Sequence, residues 1–247
     1  MKAYYITDPG IVRSHNEDSV AVVKNKSGER LLVVADGMGG HKAGEVASSI
    51  AVTHLTKRFS KLTSIGSKLD ASIWLDENIK YINDEIIKYS LDNPETKGMG
   101  TTITLAILTK DFLIFGNIGD SSGFVIKAGK LKKVTNDHTL LNALMNAGVL
   151  NERDATEFPK KNVLMKALGA QPKIEIDKFD IQSKVDGIFL CSDGLTNMLK
   201  VEQIEAVLAD KDLTTEKKLA KLVKKCNARG GTDNITIAIL MKEDGDK

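Results

Sequence analysis

Apolar and polar positions along the chain change period several times, and each change marks an element. "AYYIT" near residue 3, "SVAVVK" near 19 and "LLVVA" at 31–35 read as strands, with "KNKSGE" as the loop joining the last two. The period then lengthens. Val46, Ala47, Ile50, Ala51, Leu55 and Phe59 keep helical spacing from about Gly44. Leu75, Ile79, Ile82, Ile86 and Tyr89 form the apolar face of a second helix, which "LDNPETKG" must end because proline cannot continue the ladder.

Residues 101–134 return to strands: "TTITLAIL", "FLIFGNI", "GFVIKA" and "KLKKV". The short turns "TKD" and "KAGK" predict an antiparallel meander. Residues 138–168 read as helical or irregular. Strands follow at "KIEIDKFDI" and "GIFLCS", then helices at about 201–209 and 215–227, then a strand at "NITIAIL" and a charged tail. Strands come in groups separated by helices, without regular βαβ alternation. The expected class is therefore α+β, antiparallel sheets covered by helices. No linker, repeat or low-complexity tract divides the 247 residues.

Composition narrows the partners. Hydrophobic residues are 42% and charged residues 28%, as in ordinary soluble domains. Net charge is +2 from 35 basic and 33 acidic residues, with the lysines scattered along the chain. That balance predicts neither nucleic acid nor an anionic membrane as the main partner. No run approaches the ~18 apolar residues of a membrane span, and "MKAYYITDPG" has no signal-like apolar core. Cys191 and Cys226 form no CxxC pair. A reducing, cytoplasmic location fits.

Candidate chemistry lies in the carboxylates. Asp36 follows "LLVVA", Asp120 follows "FLIFGNIG", Asp193 follows "GIFLCS" and Asp233 precedes "NITIAIL". Each alone is explained as a turn residue at a strand end. Four at the ends of strongly apolar strands are different, because aligned strands would bring like charges together and demand a cation. Oxygen donors without a His or Cys cluster favour Mg²⁺ or Mn²⁺, and two such ions suit hydrolytic phosphate chemistry. "RSHNED" adds Arg13, whose planar fork suits a phosphate, and Glu17 and Asp18, which can extend a metal shell. Alone, that segment reads better as a polar turn with a surface salt bridge; beside four strand-end aspartates it reads better as the phosphate end of a hydrolase.

In this order the motifs resemble the metal-dependent Ser/Thr protein phosphatases of type 2C (the PPM family), in their compact bacterial form. The matching segments are "TDPGIVRSHNED", "VVADGMGGHKAGEVAS", "KGMGTT", "NIGDSS", "TNDHTLLNALMNAG", "KNVLMKALG", "LCSDGLTNML" and "GGTDNITIAIL", from Thr7 to Leu240. The resemblance implies a single catalytic domain over residues 1–247, a sandwich of two antiparallel β-sheets flanked by helices, and a flap at about 150–165. It implies two Mn²⁺ or Mg²⁺ ions, with a third in bacterial members. Asp36 is expected to bridge two ions, the Gly37 carbonyl to ligate one, and Asp193 and Asp233 to complete the first site. Glu17 serves the second through water, Asp18 orients a water, and Asp120 with Asp193 matches the third. Arg13 matches the phosphate-binding arginine. The implied partners are phosphorylated proteins and a cognate bacterial Ser/Thr kinase, with the chain as a monomer.

Two positions depart from the family. Ser122 stands where "GDS" is usually followed by arginine, which puts third-metal affinity and local salt bridging in question. Met38 stands where some members carry a histidine able to protonate the leaving group; His41, nearby, is the candidate acid. A silent phosphoprotein-binding module with the same fold is the competing reading, and it should have lost metal aspartates. A P-loop protein is a poor fit, since GxxxxGK[ST] is missing.

Overall fold

In a computed structural model of the chain, the described residues are 1–40, 43–151, 158–159, 163–181 and 184–242. His41 and most of the 150–165 flap lie outside them. In chain order the strands are β1 (Lys2–Asp8), β2 (Asp18–Lys24), β3 (Arg30–Met38), β4 (Gly100–Thr101), β5 (Ile103–Leu108), β6 (Leu113–Ile118), β7 (Ser122–Lys127), β8 (Lys130–Lys133), β9 (Asp177–Ile181), β10 (Gly187–Cys191) and β11 (Ile235–Met241). The helices are α1 (Ala43–Lys61), α2 (Lys68–Asp92), α3 (Leu140–Asn146), α4 (Asp193–Thr196), α5 (Val201–Leu208) and α6 (Thr215–Asn227).

The apolar run Leu31–Ala35 is fully buried because β3 is covered on both faces. Leu31, Val33 and Ala35 share a core with Ala47, Leu55, Leu75 and Ile79 of α1 and α2. Leu32 and Val34, pointing the other way, share a second core with Ile188, Leu190, Ala238 and Leu240 of the opposing sheet. A third core joins that sheet to α5 and α6 through Phe189, Ile237, Ile204 and Leu222. Four layers result: helices, sheet, sheet, helices. One sheet runs β2-β3-β5-β6-β9, with β4 paired to the end of β3; the other runs β1-β11-β10-β7-β8. All the pairings are antiparallel.

Local chemistry sets the helix ends. Ser67 caps α2, accepting from Asp70 N–H while Asp70 accepts from Ser67 N–H, a capping box. Pro94 follows its last turn, as the sequence required.

The predicted meander over 101–134 is split. β5 and β6 pair in one sheet, whereas β7 and β8 belong to the other. The chain changes sheets at residues 119–121. Gly119 makes the crossing with φ +106°, where an added Cβ would meet Thr102 at 2.5 Å. The strand "KIEIDKFDI" starts only at Asp177; Ile174 and Ile176 instead pack on the core beneath α2. The four-residue helix α4 was too short to show a period.

Candidate active site

The alternation that buries β3 also aims its end. Leu32 and Val34 face the opposing sheet, and Asp36 continues that parity at the strand's C-terminal end. Asp18 lies directly opposite Asp36 in the β2–β3 register. From the other sheet, Ser192 follows Leu190 and Thr236 precedes Ala238 on the same face. Ser192 Oγ donates to Asp18 Oδ2 at 2.7 Å and accepts from Thr236 N–H at 3.0 Å, so one hydroxyl joins the two sheets at the cleft. Asp193 begins α4 and accepts from Asn197 Nδ2 at 3.0 Å. Asp120 enters from the crossing at 119–121, which Ser121 secures through Thr102 Oγ1 at 3.0 Å.

Arg13, Glu17 and Asp233 arrive on one connected loop system. Asn234 is its buried hub: its Oδ1 accepts from Glu17 N–H at 2.8 Å, and its Nδ2 donates to the carbonyls of Pro9 at 3.0 Å and His15 at 2.9 Å. Arg13 Nη2 donates to Asp233 Oδ2 at 2.9 Å. Ser48 Oγ and Gly37 N–H both donate to the Glu17 carbonyl, at 2.6 and 3.1 Å. An added Cβ on Gly37 would lie 2.2 Å from the Gly44 carbonyl oxygen, so glycine here lets the start of α1 rest on the strand end.

The electrostatics show how closely the acids converge. Asp36 is pushed well above the usual carboxylate range, by burial first and then by Asp18, Asp193, Asp120 and Asp233. Asp18 is raised to about 7, mainly by burial, with Asp193 and Asp233 adding to it and the Thr236 and Ser192 hydroxyls opposing. Asp120 is also raised to about 7, by burial and then Asp193. Asp193 and Glu17 are raised too, burial leading in both.

This donor set fits divalent cations. Glu17 Oε1 and Asp18 Oδ1 are buried oxygens without a hydrogen-bond partner, a costly state for anions that a cation relieves. All donors are oxygens, as hard ions require. Among the described residues no three His, Cys, Asp or Glu side chains stand at closed ligand spacing. Two ions that keep waters and are shared among several carboxylates do not need such a set.

Of the residues read from sequence, Arg13, Glu17, Asp18, Asp36, Gly37, Asp120, Asp193 and Asp233 meet around this cleft, while His41 lies outside the described residues. Met38 pairs with Gly100, and an added Cβ on Gly100 would lie 2.8 Å from Met38 Cε, so the methionine covers a glycine backbone. Ser122 is 1% exposed, within β7 and opposite Cys191, a sheet position rather than a surface salt-bridge site. His54 stacks on Tyr81 with ring centroids 4.4 Å apart, a packing role away from the cleft. The sequence reading passed over Asn234, Ser192 and Thr102; a polar residue in step with inward-facing apolar ones at a strand end was the available signal.

The fold and the acid cluster define a metal-dependent phosphohydrolase type of site, and the comparisons specify the family. The Protein phosphatase 2C pattern matches residues 12–235, and the chain belongs to that family. It is 38% identical over 244 residues to the serine/threonine phosphatase stp of Listeria monocytogenes, covering 98% of this chain and 96% of that protein. The S. agalactiae serine/threonine phosphatase structure superposes with TM-score 0.91 at 34% identity, covering 98% of this chain and 99% of that one. The catalytic domain of the phosphatase PstP, solved in complex with two manganese ions, gives TM-score 0.82 at 29% identity, with 96% of each chain covered. The chain is a protein serine/threonine phosphatase acting on phosphoproteins, and the silent binding module is not favoured. No helix among the described residues is long and apolar enough to cross a membrane.

Proposed function

We propose that this phosphatase acts as one catalytic domain over residues 1–247 through two Mn²⁺ or Mg²⁺ ions. Asp36, the Gly37 carbonyl, Asp193 and Asp233 would hold them, with Glu17 acting through water and a third ion on Asp120 and Asp193. The observation that carries this reading is the convergence of six carboxylates, two of which, Glu17 and Asp18, each leave a buried oxygen without a hydrogen-bond partner. When bound, the ions supply charge neutralisation and acidify water.

The chain's own groups do the rest. Arg13 turns its fork from Asp233 to the phosphoryl oxygens, positioning them and offsetting their charge. Asp18 is fixed at Oδ2 by Ser192, which leaves Oδ1 aimed as an acceptor for a proton of the attacking water. Water attacks phosphorus, the P–O bond to serine or threonine breaks, and the departing oxygen takes a proton from solvent or from His41. Neither cysteine takes part. Cys191 is fully buried, with burial pushing its thiol well up, so no covalent phosphoenzyme is expected. Opposition to a Ser/Thr kinase, a monomeric state and a cytoplasmic location complete the proposal.

The test is hydrolysis of p-nitrophenyl phosphate with Mn²⁺, with EDTA, and in Asp36→Ala and Asp193→Ala. Turnover is expected only in the wild type with metal. Turnover that survives EDTA, or persists in both variants, removes the mechanism.

A further inference from the structure

Lysines that look scattered along the sequence are gathered by the fold. β1 lies against β2 at one side of the sandwich, and the sheets end in β8 and β9 at the other. Between those two edges is a groove of about 520 Å³. Its floor is the rim of the inter-sheet core: Val125 and Val185 are buried, with Val134, Phe179 and Ile181 partly buried beside them. Lys127, Lys132 and Lys184 stand exposed in its lining, with no ion pair among the described residues. Asp180, the acid in that lining, is already paired with Lys68.

The two edges are not equivalent. The outer side of β8 is partly covered, because Glu205 of α5 accepts from Leu131 N–H and from Lys130 Nζ, each at 2.9 Å. β9 pairs with β6 on one side; on the other, none of its backbone groups bonds to another described segment. An unpaired strand edge is a template for another backbone, and side chains of an added strand alternate between two faces.

We propose that this groove docks an extended acidic segment of a protein substrate, laid along β9 with apolar side chains on the floor and carboxylates against Lys127, Lys132 and Lys184. The proposal rests on the reading of the chain as a protein phosphatase and adds a substrate class to it. Charge selects an acidic occupant, since the basic lining is largely unneutralised. The apolar floor and the open edge select a polypeptide over a small anion, which would use neither.

The groove also stands in a useful relation to the cleft. β9 begins at Asp177, whose Oδ2 lies 3.0 Å from His138 Nε2, while His138 Nδ1 accepts from Gly119 N–H at 3.0 Å beside Asp120. Ile181, four residues further on, is about 13 Å along the strand from that end. An occupant over 179–181 leaves the acid cluster open, and its chain can continue along β9 toward it. Tethering then raises the local concentration of the phosphorylated residue without a new contact at the reacting atoms.

The test compares wild type with the triple variant Lys127→Glu, Lys132→Glu, Lys184→Glu, all with Mn²⁺. Substrates are p-nitrophenyl phosphate, a phosphothreonine peptide, and that peptide linked to a heptapeptide alternating Glu and Val. The extended peptide is expected to show a KM roughly tenfold below the plain one in the wild type, and no advantage in the variant. Both proteins should turn over p-nitrophenyl phosphate equally. Equal KM values for the two peptides in the wild type, or an advantage that survives in the variant, overturns the proposal. Full retention of the advantage by an extension interrupted with prolines overturns strand pairing. Binding to phosphatidylserine vesicles that the variant loses, without a peptide advantage, assigns the lysines to a lipid surface and overturns it as well. Anisotropy of the fluorescein-labelled Glu–Val heptapeptide reads docking without turnover, so failure of docking and failure of catalysis are told apart.

Discussion

Arg13 reaches across 220 positions of sequence to place Nη2 2.9 Å from Asp233 Oδ2. The arginine side chain is 51% exposed and the aspartate 34%, so this is a screened pair worth about 1 kcal/mol or less. It holds the guanidinium at the cleft without fixing it there. Arg13→Ala should therefore lower kcat/KM for p-nitrophenyl phosphate roughly 10²-fold, as loss of a charge-stabilising donor does. Calorimetry should show a Tm change of no more than about 4 °C. A large loss of stability with little loss of rate would make the pair structural.

Asp36 is buried and faces four other acids, Asp18, Asp193, Asp120 and Asp233. Asp36→Asn should abolish Mn²⁺-dependent turnover and, in EDTA, raise Tm above that of the wild type, because folding no longer has to protonate, or bury as a charge, a carboxyl facing four other acids. A neutral variant less stable than wild type in EDTA would contradict the electrostatic account.

The same repulsion sets a pH dependence for the metal-free protein. Asp18 and Asp120 are raised to about 7 in the folded chain, against about 4 when unfolded. Between those values the folded state binds more protons. The stability these carboxyls contribute is complete below the unfolded value and is lost as pH rises through about 7. In EDTA, Tm should be higher at about pH 5.5 than at about pH 8, and Mn²⁺ should restore more stability at the higher pH, where it competes with fewer protons. Thermal scans in a pH series check both slopes.

Ser192 is buried and joins Asp18 to the Thr236 backbone. Ser192→Ala leaves Thr236 N–H without its acceptor and should cost about 1–3 kcal/mol. For a chain of this size that corresponds to a fall of about 2–12 °C in Tm. The Asp18 carboxylate also loses its donor, so kcat should fall more than KM changes. Unchanged kcat would show that Asp18 is held by its strand alone.

The sequence disclosed the layers and most of the acids, because burial leaves a period and turn carboxylates leave a motif. Leu31–Ala35 could only be a strand covered on both sides, and its parity carries directly to Asp36. What the residues did not disclose was how distant segments meet. The turn-rich 101–134 stretch reads equally well as one meander or as two hairpins in different sheets, and only packing against the opposing sheet decides between them. Asn234 and Ser192 escaped notice for a related reason: their partners, Glu17 and Asp18, lie 217 and 174 positions away. The lysine groove was invisible for the same reason, since β7, β8 and β9 assemble it from separate parts of the chain.

The pairing of β1 with β11, Lys2 opposite Met241 through Asp8 opposite Ile235, has a consequence for synthesis. Until β11 has formed, Glu17 N–H lacks the Asn234 acceptor and Arg13 lacks Asp233, because those two residues have no strand to stand on. Contacts of such long sequence separation form late and slowly. A nascent chain exposing everything up to the end of α6 would carry five of the six cleft acids, Glu17, Asp18, Asp36, Asp120 and Asp193, but lack Asp233 and its neighbour Asn234. The cleft is therefore complete only once β11 has entered the sheet between β1 and β10.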